Sequence, residues 1–327
     1  MSLAFILSGI AAAGSLLLLA ALIGVVIRRT AQEKRARLDA VRGSAFRKAV
    51  LPLLHRVDDG AVASLEAWRG DPVALEVAGH LLQILRGAER ERLLDLVDAL
   101  DLLQLDRQLR RLKSSGPARR IAIVRMLGSF PVPRVEQALA ACLHADPAPP
   151  VRLEAGLALV RLGTLRSVDD AIVALDDGAY RAPAHRIIFR ALAAQHPGEM
   201  IAAWGKHGSG PARFAIADAL GEVFEPDGFA ALRSAIQDAD PQMRCEGLRS
   251  ARRLGHPSMA PEVLAALGDP EWIVRVQAAS TAGTMRLEQA RPLLEALLTD
   301  EQWWVRYRAS QALTALGGTR AAATAAA

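Results

Sequence analysis

The sequence has few aromatic residues and almost no cysteine. Phe, Trp and Tyr together supply 14 of its 327 residues, and Cys supplies two. Two cysteines exclude a disulfide-stapled miniprotein, and a hydrophobic content of 51% excludes a disordered polar chain. A core with so few rings must be built from Ala, Leu, Val and Ile, which favours closely packed helices. We expect Cys142 and Cys245 to be buried helix residues of a protein in a reducing compartment.

The sequence also lacks the common catalytic motifs. It contains no H-E-x-x-H, C-x-x-C, G-x-S-x-G or G-x-x-x-x-G-K-[ST] pattern, and its seven His are scattered, several of them beside turns. We therefore expect no catalytic residue, no bound cofactor, no metal site and no enzymatic activity.

Residues 3–27 contain no charge, Pro, Asn or Gln. As a helix these 25 residues would be roughly 37 Å long, enough to cross a hydrocarbon core of about 30 Å. A cleaved signal peptide is disfavoured because no basic residue precedes the run, which is also too long. The sequence thus predicts a single transmembrane helix with its N-terminus outside and the large domain in the cytoplasm, because all nearby basic residues follow the span.

Basic residues are concentrated directly after this run. Residues 28–48 have a net charge of +6, whereas the rest of the chain has a net charge of −1. This segment, which we call the basic segment, could attract anionic lipid, and the near-neutral remainder makes nucleic acid an unlikely partner. Its cations are Arg28, Arg29, Lys34, Arg35, Arg37, Arg42, Arg47 and Lys48.

A repeat of 31 residues is clearest toward the C-terminus. Each unit places an Asp six residues before an Arg, as in Asp238–Arg244, Asp269–Arg275 and Asp300–Arg306. In earlier units the corresponding Arg recurs at less regular intervals, back to Arg119. Each unit predicts two helices joined by a turn, with the Asp accepting hydrogen bonds from the free N–H groups of the second helix.

These units resemble HEAT repeats, which are antiparallel helix pairs with an Asp near the turn and an Arg early in the second helix. The shared pattern is D-x-x-x-x-[VM]-R-x-x-[AG], although 31 residues is shorter than the usual HEAT unit and is similar to compact repeats related to phycobilisome lyase subunits. The resemblance implies an all-α, right-handed α-solenoid preceded by the transmembrane helix. It also implies a structural ladder along the seam between repeats, formed by Asp238, Arg244, Asp269, Arg275, Asp300 and Arg306.

We accordingly divide the chain into five predicted segments. They are a transmembrane anchor (1–28), a basic juxtamembrane linker (29–48), a divergent helical cap (49–108), HEAT-like repeats (109–317) and a disordered tail (318–327).

Tryptophan and arginine occur together at the last two predicted turns. Both types are enriched at the energetic centres of protein interfaces, so we predict a partner site, with capping of the last repeat as the alternative for the Trp residues. The predicted site consists of Trp272, Arg275, Trp303, Trp304, Arg306 and Arg308. The predicted function is a membrane-tethered scaffold that binds a protein partner at the membrane. The alternatives are a nucleic-acid-binding solenoid and, by fold analogy alone, a lyase-like accessory enzyme.

Overall fold

The computed structural model describes residues 3–55, 61–176, 180, 183–208 and 210–317, with side chains of the first helix described from residue 22. These residues form helices and no β-strand, so the predicted all-α class is confirmed. The chain divides into two compact units, Met1–Arg110 and Arg111–Ala327. The predicted tail, 318–327, lies outside the described residues, and the five predicted segment boundaries stay predictions.

The first unit begins with one very long helix. α1 runs without interruption through the basic segment, and its described side chains are mostly exposed until Gly43 and Phe46 become buried. Val50 and Leu54 continue this buried face, where α1 packs on α3 and α4. The helices are α1 (Leu3–His55), α2 (Ala61–Ser64), α3 (Pro72–Ile84), α4 (Gly87–Ala99) and α5 (Leu105–Ser114), the last of which crosses the boundary between the units.

The predicted membrane localisation requires correction. No helix in the part of the chain described with its side chains combines the length and the apolar character that a membrane span requires. Most of the apolar run, residues 3–21, lies outside that part. Its described remainder, residues 22–27, continues directly into the basic segment within α1. The predicted single-pass arrangement, with an outside N-terminus and a cytoplasmic solenoid, is contradicted by this finding and is not retained.

The second unit is a succession of helix pairs. We call the later helix of each pair the second helix and the earlier one the first helix. The bounds are α6 (Pro117–Leu127), α7 (Pro133–Ala145), α8 (Pro149–Leu162), α9 (Val168–Ala174), α10 (Pro183–Gln195), α11 (Pro197–His207), α12 (Arg213–Ala219), α13 (Pro226–Ile236), α14 (Pro241–Leu254), α15 (Ala260–Ala266), α16 (Trp272–Thr284), α17 (Arg291–Ala296) and α18 (Trp303–Ala315).

Local sequence determines where many of these helices begin and end. Proline occupies the first turn of most of them, where its missing N–H has no partner to lose. Asp240 caps α14 by accepting from the N–H of Gln242 at 2.9 Å. Gly163 and Gly255 end α8 and α14 in the left-handed conformation, with φ of 72° and 65°, which glycine adopts without strain.

Packing in the second unit runs in two layers. In one layer, each second helix packs on the next second helix, in the order α6, α8, α10, α12, α14, α16 and α18. In the other layer, first helices pack on one another in the order α9, α11, α13 and α15. Small residues allow the close approach: Ala278, Ala279 and Ala282 of α16 are fully buried. This two-layer arrangement is that of HEAT-like repeats, and its handedness stays a prediction.

Candidate functional site

Arginine–aspartate pairs join successive second helices. Arg244 donates from Nε and Nη2 to both carboxylate oxygens of Asp269, each at 2.8 Å. Arg275 does the same to Asp300, at 2.8 and 3.0 Å. Such bidentate pairs fix orientation as well as charge, so each Arg joins its own repeat to the Asp of the next.

Each of these Asp residues also organises its own turn. The Oδ1 atoms of Asp238, Asp269 and Asp300 accept from the N–H two residues later, at 2.8 to 2.9 Å. For Asp269 and Asp300 that donor is the residue preceding the helix, because the Asp lies two positions before the helix cap. The Asp therefore supports the turn and the inter-repeat pair, rather than the first helical turn that the sequence analysis expected.

A bidentate Arg–Asp pair also occurs at the start of the second unit. Its arginine lies one residue after Arg119, the position that the repeat spacing predicted. Arg120, and not Arg119, donates from Nε and Nη2 to Asp146, each at 2.8 Å. The side chain of Arg119 is exposed.

Aromatic rings are exposed at the N-terminal end of α18. Trp303 and Trp304 are 43% and 53% exposed, because the buried positions of the helix begin at Val305. The Trp303 ring stacks on Tyr307 with centroids 5.2 Å apart and an interplanar angle of 7°. Trp304 stands nearly perpendicular to Trp303, with centroids 4.6 Å apart. We call Trp303, Trp304 and Tyr307 the aromatic patch.

Polar side chains extend the aromatic patch along α18. Gln311 donates to the hydroxyl of Tyr307 at 2.7 Å, and Arg308 donates to Gln311 at 2.8 Å. The Arg308 guanidinium lies 5.9 Å from the Tyr307 ring centroid, within the range of a cation–π contact. Sequence reasoning missed Tyr307, although its position four residues after Trp303 places both on one helix face.

The structure does not bring all six predicted partner-site residues together. Trp272, 39% exposed, occupies the equivalent place at the start of α16, one repeat earlier. Among the described residues the ring contacts at this end join Trp303, Trp304 and Tyr307 and do not include Trp272. Arg275 is half-buried and engaged with Asp300, whereas Arg306 and Arg308 lie on α18 beside the rings.

A second cluster, which the sequence analysis did not identify, surrounds two buried carboxylates. Asp218 of α12 is fully buried and accepts from Arg190 at 2.7 Å on each oxygen, and from Arg186 at 3.1 Å. Arg186 also donates to Glu246 of α14, at 3.1 and 3.2 Å. Because these residues come from three successive second helices, the cluster joins α10, α12 and α14.

Burial and ion pairing have opposite effects on Asp218. Burial alone raises the pKa of its carboxyl, but the hydrogen bonds from Arg190 and the charges of Arg253, Arg190 and Arg186 outweigh burial and lower the pKa below its ordinary value of 3.8. The pKa of Asp300 is likewise lowered, since the bonds from Arg275 and from the N–H of Gln302 outweigh its burial. Both carboxylates are therefore ionised at neutral pH.

A cleft of about 380 Å³ opens beside this cluster. The charged groups that line it already have partners: Arg249 donates to Glu246 at 2.7 Å, and Asp240 pairs with Arg213, which lies outside the lining. Its lining residues are Tyr180, Arg186, Phe214, Ala215, Asp240, Gln242, Glu246 and Arg249. The part of the chain that the structure describes contains no group of three or more His, Cys, Asp or Glu arranged to hold a metal ion.

Comparisons with known proteins agree with a HEAT-like fold at the C-terminal end. Residues 260–327 match the family profile of HEAT repeats, which confirms the resemblance over that segment. No curated protein matches the chain. The described residues are thus all-helical, and residues 260–327 are similar to HEAT repeats.

Several solved structures show distant similarity to the chain. Human deoxyhypusine hydroxylase in complex with glycerol is 17% identical over 78% of this chain and 96% of its own, with a TM-score of 0.34. YibA from Escherichia coli is 15% identical over 81% and 98%, with a TM-score of 0.41. A Kap121p mutant is 16% identical over 84% of this chain, which spans about a third of that protein (32%), with a TM-score of 0.41. Similarities this distant carry no argument about activity or partners.

The first of these structures nevertheless corrects one expectation. The sequence predicted no enzymatic activity, whereas a protein named as a hydroxylase is among the structures similar to this chain. The expectation of no enzymatic activity is not retained, and a similarity this distant assigns no activity to this chain.

Proposed function

We propose that this protein is a HEAT-like scaffold that binds a protein partner through the aromatic patch, together with Arg306 and Arg308. The observation that carries the proposal is the exposure of two adjacent Trp rings, Trp303 and Trp304, at the start of α18. Trp and Arg are the side chains most enriched at energetic centres of interfaces, because they combine large contact area with polar groups.

The architecture supports a binding role of this kind. Stacked helix pairs present extended surfaces that suit other macromolecules. The described side chains of the patch already contact one another, so little conformational entropy is lost when they are covered. Trp272, at the equivalent start of α16 one repeat earlier, is a further exposed aromatic side chain.

The remaining partner predictions are not part of this proposal. The described side chains of the basic segment are largely exposed on α1, and its contact with anionic lipid stays a prediction. A nucleic-acid role is disfavoured at the cleft, because Arg186 and Arg249 there are engaged with Glu246.

Site-specific photocrosslinking in cells tests the proposal. Benzoylphenylalanine at position 304 keeps an aromatic side chain in the patch and is expected to form a discrete covalent adduct with a partner protein. The matched control is the same amino acid at Phe224, which is 66% exposed and lies outside the patch. We expect the adduct at position 304 to disappear when Trp303→Ala is added. Equal adducts at both positions, or none at position 304, would contradict a partner site at the patch.

A further inference from the structure

The inter-repeat arginine pairs follow one pattern that recurs along the stack. In Arg244 and Arg275, Nη1 donates to the backbone oxygen of the Asp in the same repeat, at 3.0 and 2.8 Å. The opposite edge of each guanidinium, Nε and Nη2, donates to the carboxylate of the next repeat's Asp. One edge thus holds the side chain in place, and the other binds a carboxylate.

Arg306 completes only the first half of this pattern. Its Nη1 donates to the backbone oxygens of Asp300 and Glu301, at 2.9 and 3.1 Å, which matches the contacts of Arg275 with Asp269 and Pro270 at 2.8 and 3.0 Å. Within the described residues, no carboxylate accepts from the Nε and Nη2 edge of Arg306.

Arg306 lies on the same helix as the exposed rings. Arg306 is half-buried, three residues after Trp303 on α18, and its neighbours on the helix are Val305 and Tyr307. The backbone contacts already orient the guanidinium, so less side-chain entropy is lost when a ligand binds. A planar guanidinium edge matches the two oxygens of a carboxylate.

We propose that Arg306 binds a carboxylate of the partner protein, supplied by an Asp or Glu side chain in the geometry that Asp300 adopts on Arg275. This inference rests on the proposed function and specifies the partner as one that presents an acidic side chain next to a surface that covers Trp303 and Trp304. Charge complementarity supports this partner, because Arg308 adds a second cation on the same helix. Glu301, exposed near the patch, is the opposing charge that the acidic group must avoid.

Nuclear magnetic resonance of the full-length protein, labelled with ¹⁵N at arginine, tests the inference directly. The probe is an acetylated and amidated peptide with the sequence LLTDEQ, which copies residues 297–302 and therefore carries Asp300 in its own turn sequence. We expect the Nε–H resonance of Arg306, assigned by its loss in Arg306→Gln, to shift on titration. The control, called the Asn peptide, has Asn in place of Asp and Gln in place of Glu; it is expected to bind at least about tenfold more weakly, because it lacks a charged acceptor.

Internal and matched controls accompany the titration. The Nε–H resonances of Arg244 and Arg275 should not move, because Asp269 and Asp300 already occupy their outer edges. Arg252→Gln, which removes an exposed arginine whose Nη1 donates to Ser280 at 3.1 Å, should leave the titration of Arg306 unchanged. An absent shift, an equal shift with the Asn peptide, or a larger shift with inorganic phosphate would overturn the carboxylate assignment.

The two proposals fail in different ways. If the adduct at position 304 forms and depends on Trp303, but the Asp peptide does not shift Arg306, the patch binds a partner and the carboxylate inference is wrong. If Arg306→Lys, which keeps the charge but cannot donate through two parallel N–H groups, lowers the adduct yield several-fold while Arg252→Gln does not, the inference is supported in cells.

Discussion

Replacing Asp218 by alanine is expected to lower the free energy of unfolding by about 3 kcal/mol, at the lower end of the range for breaking a buried ion pair. The carboxylate is fully buried, and Arg190 loses its hydrogen-bonding carboxylate when it is removed. The loss falls at the lower end because Arg186, Arg190 and Arg253 retain partial contact with water. Equilibrium unfolding in urea measures it.

An exposed aspartate supplies the control for this prediction. Asp169 pairs with Lys206 at 2.7 Å, but its side chain is 51% exposed. Asp169→Ala should therefore change stability by no more than about 1 kcal/mol, as expected for surface ion pairs. Equal effects of the two substitutions would show that the buried cluster does not hold α10, α12 and α14 together.

The same carboxylate makes stability depend on pH in a defined direction. Because the pKa of Asp218 is lower in the folded protein than its ordinary value of 3.8, the unfolded chain binds more protons between those two values. Its contribution to stability is complete above pH 3.8 and is lost as the pH falls through the lowered pKa. Urea midpoints measured from pH 7 down to pH 3 should fall less steeply in Asp218→Ala than in the unchanged protein.

Replacing Gly247 by valine is expected to lower the free energy of unfolding by about 2–3 kcal/mol through overpacking. A Cβ atom at position 247 would lie 2.9 Å from the backbone nitrogen of Ile236 and 3.1 Å from the backbone carbon of Ala235. Those backbone atoms belong to α13, so accommodation requires α13 and α14 to move apart. Urea unfolding measures the change.

Gly205 offers a matched substitution with the opposite expected sign. It lies inside α11, and a Cβ atom there would meet nothing within 4 Å. Gly205→Ala should raise stability by about 0.5–1 kcal/mol, because alanine loses less backbone entropy in a helix. If Gly247→Val lowered the free energy of unfolding no more than Gly205→Ala does, the close approach of α13 and α14 would be contradicted.

The repeat architecture was accessible from sequence because the last units keep one length. With a constant 31-residue offset, Asp269 and Asp300 fall at equivalent turns and Trp272 and Trp303 at equivalent helix starts. Where the unit length varies, the repeat spacing predicts the position of the arginine less reliably. The arginine that binds Asp146 is Arg120 rather than Arg119. The all-α class followed from composition and periodicity together.

The buried cluster could not be predicted in the same way. Asp218 accepts from arginines 28 to 35 positions away in sequence, on neighbouring helices whose spacing departs from 31 residues. A charged residue inside the apolar stretch of α12 was the available signal, since Ala215, Ile216, Ala219 and Leu220 around it are all buried. Its partners become apparent only when α10, α12 and α14 are stacked.

The aromatic patch has two possible roles, namely binding of a partner, which we propose, and capping of the stack. Urea unfolding of the double variant Trp303→Ala/Trp304→Ala separates these two roles. We expect a loss of no more than about 3 kcal/mol, because the rings are 43% and 53% exposed and together bury about as much surface as one fully buried ring. We also expect benzoylphenylalanine at position 272, one repeat earlier, to lose its crosslink to the partner in this double variant. A loss above about 6 kcal/mol, as expected when two fully buried aromatic side chains are removed, would show that the rings hold the last repeat together and would contradict the partner site.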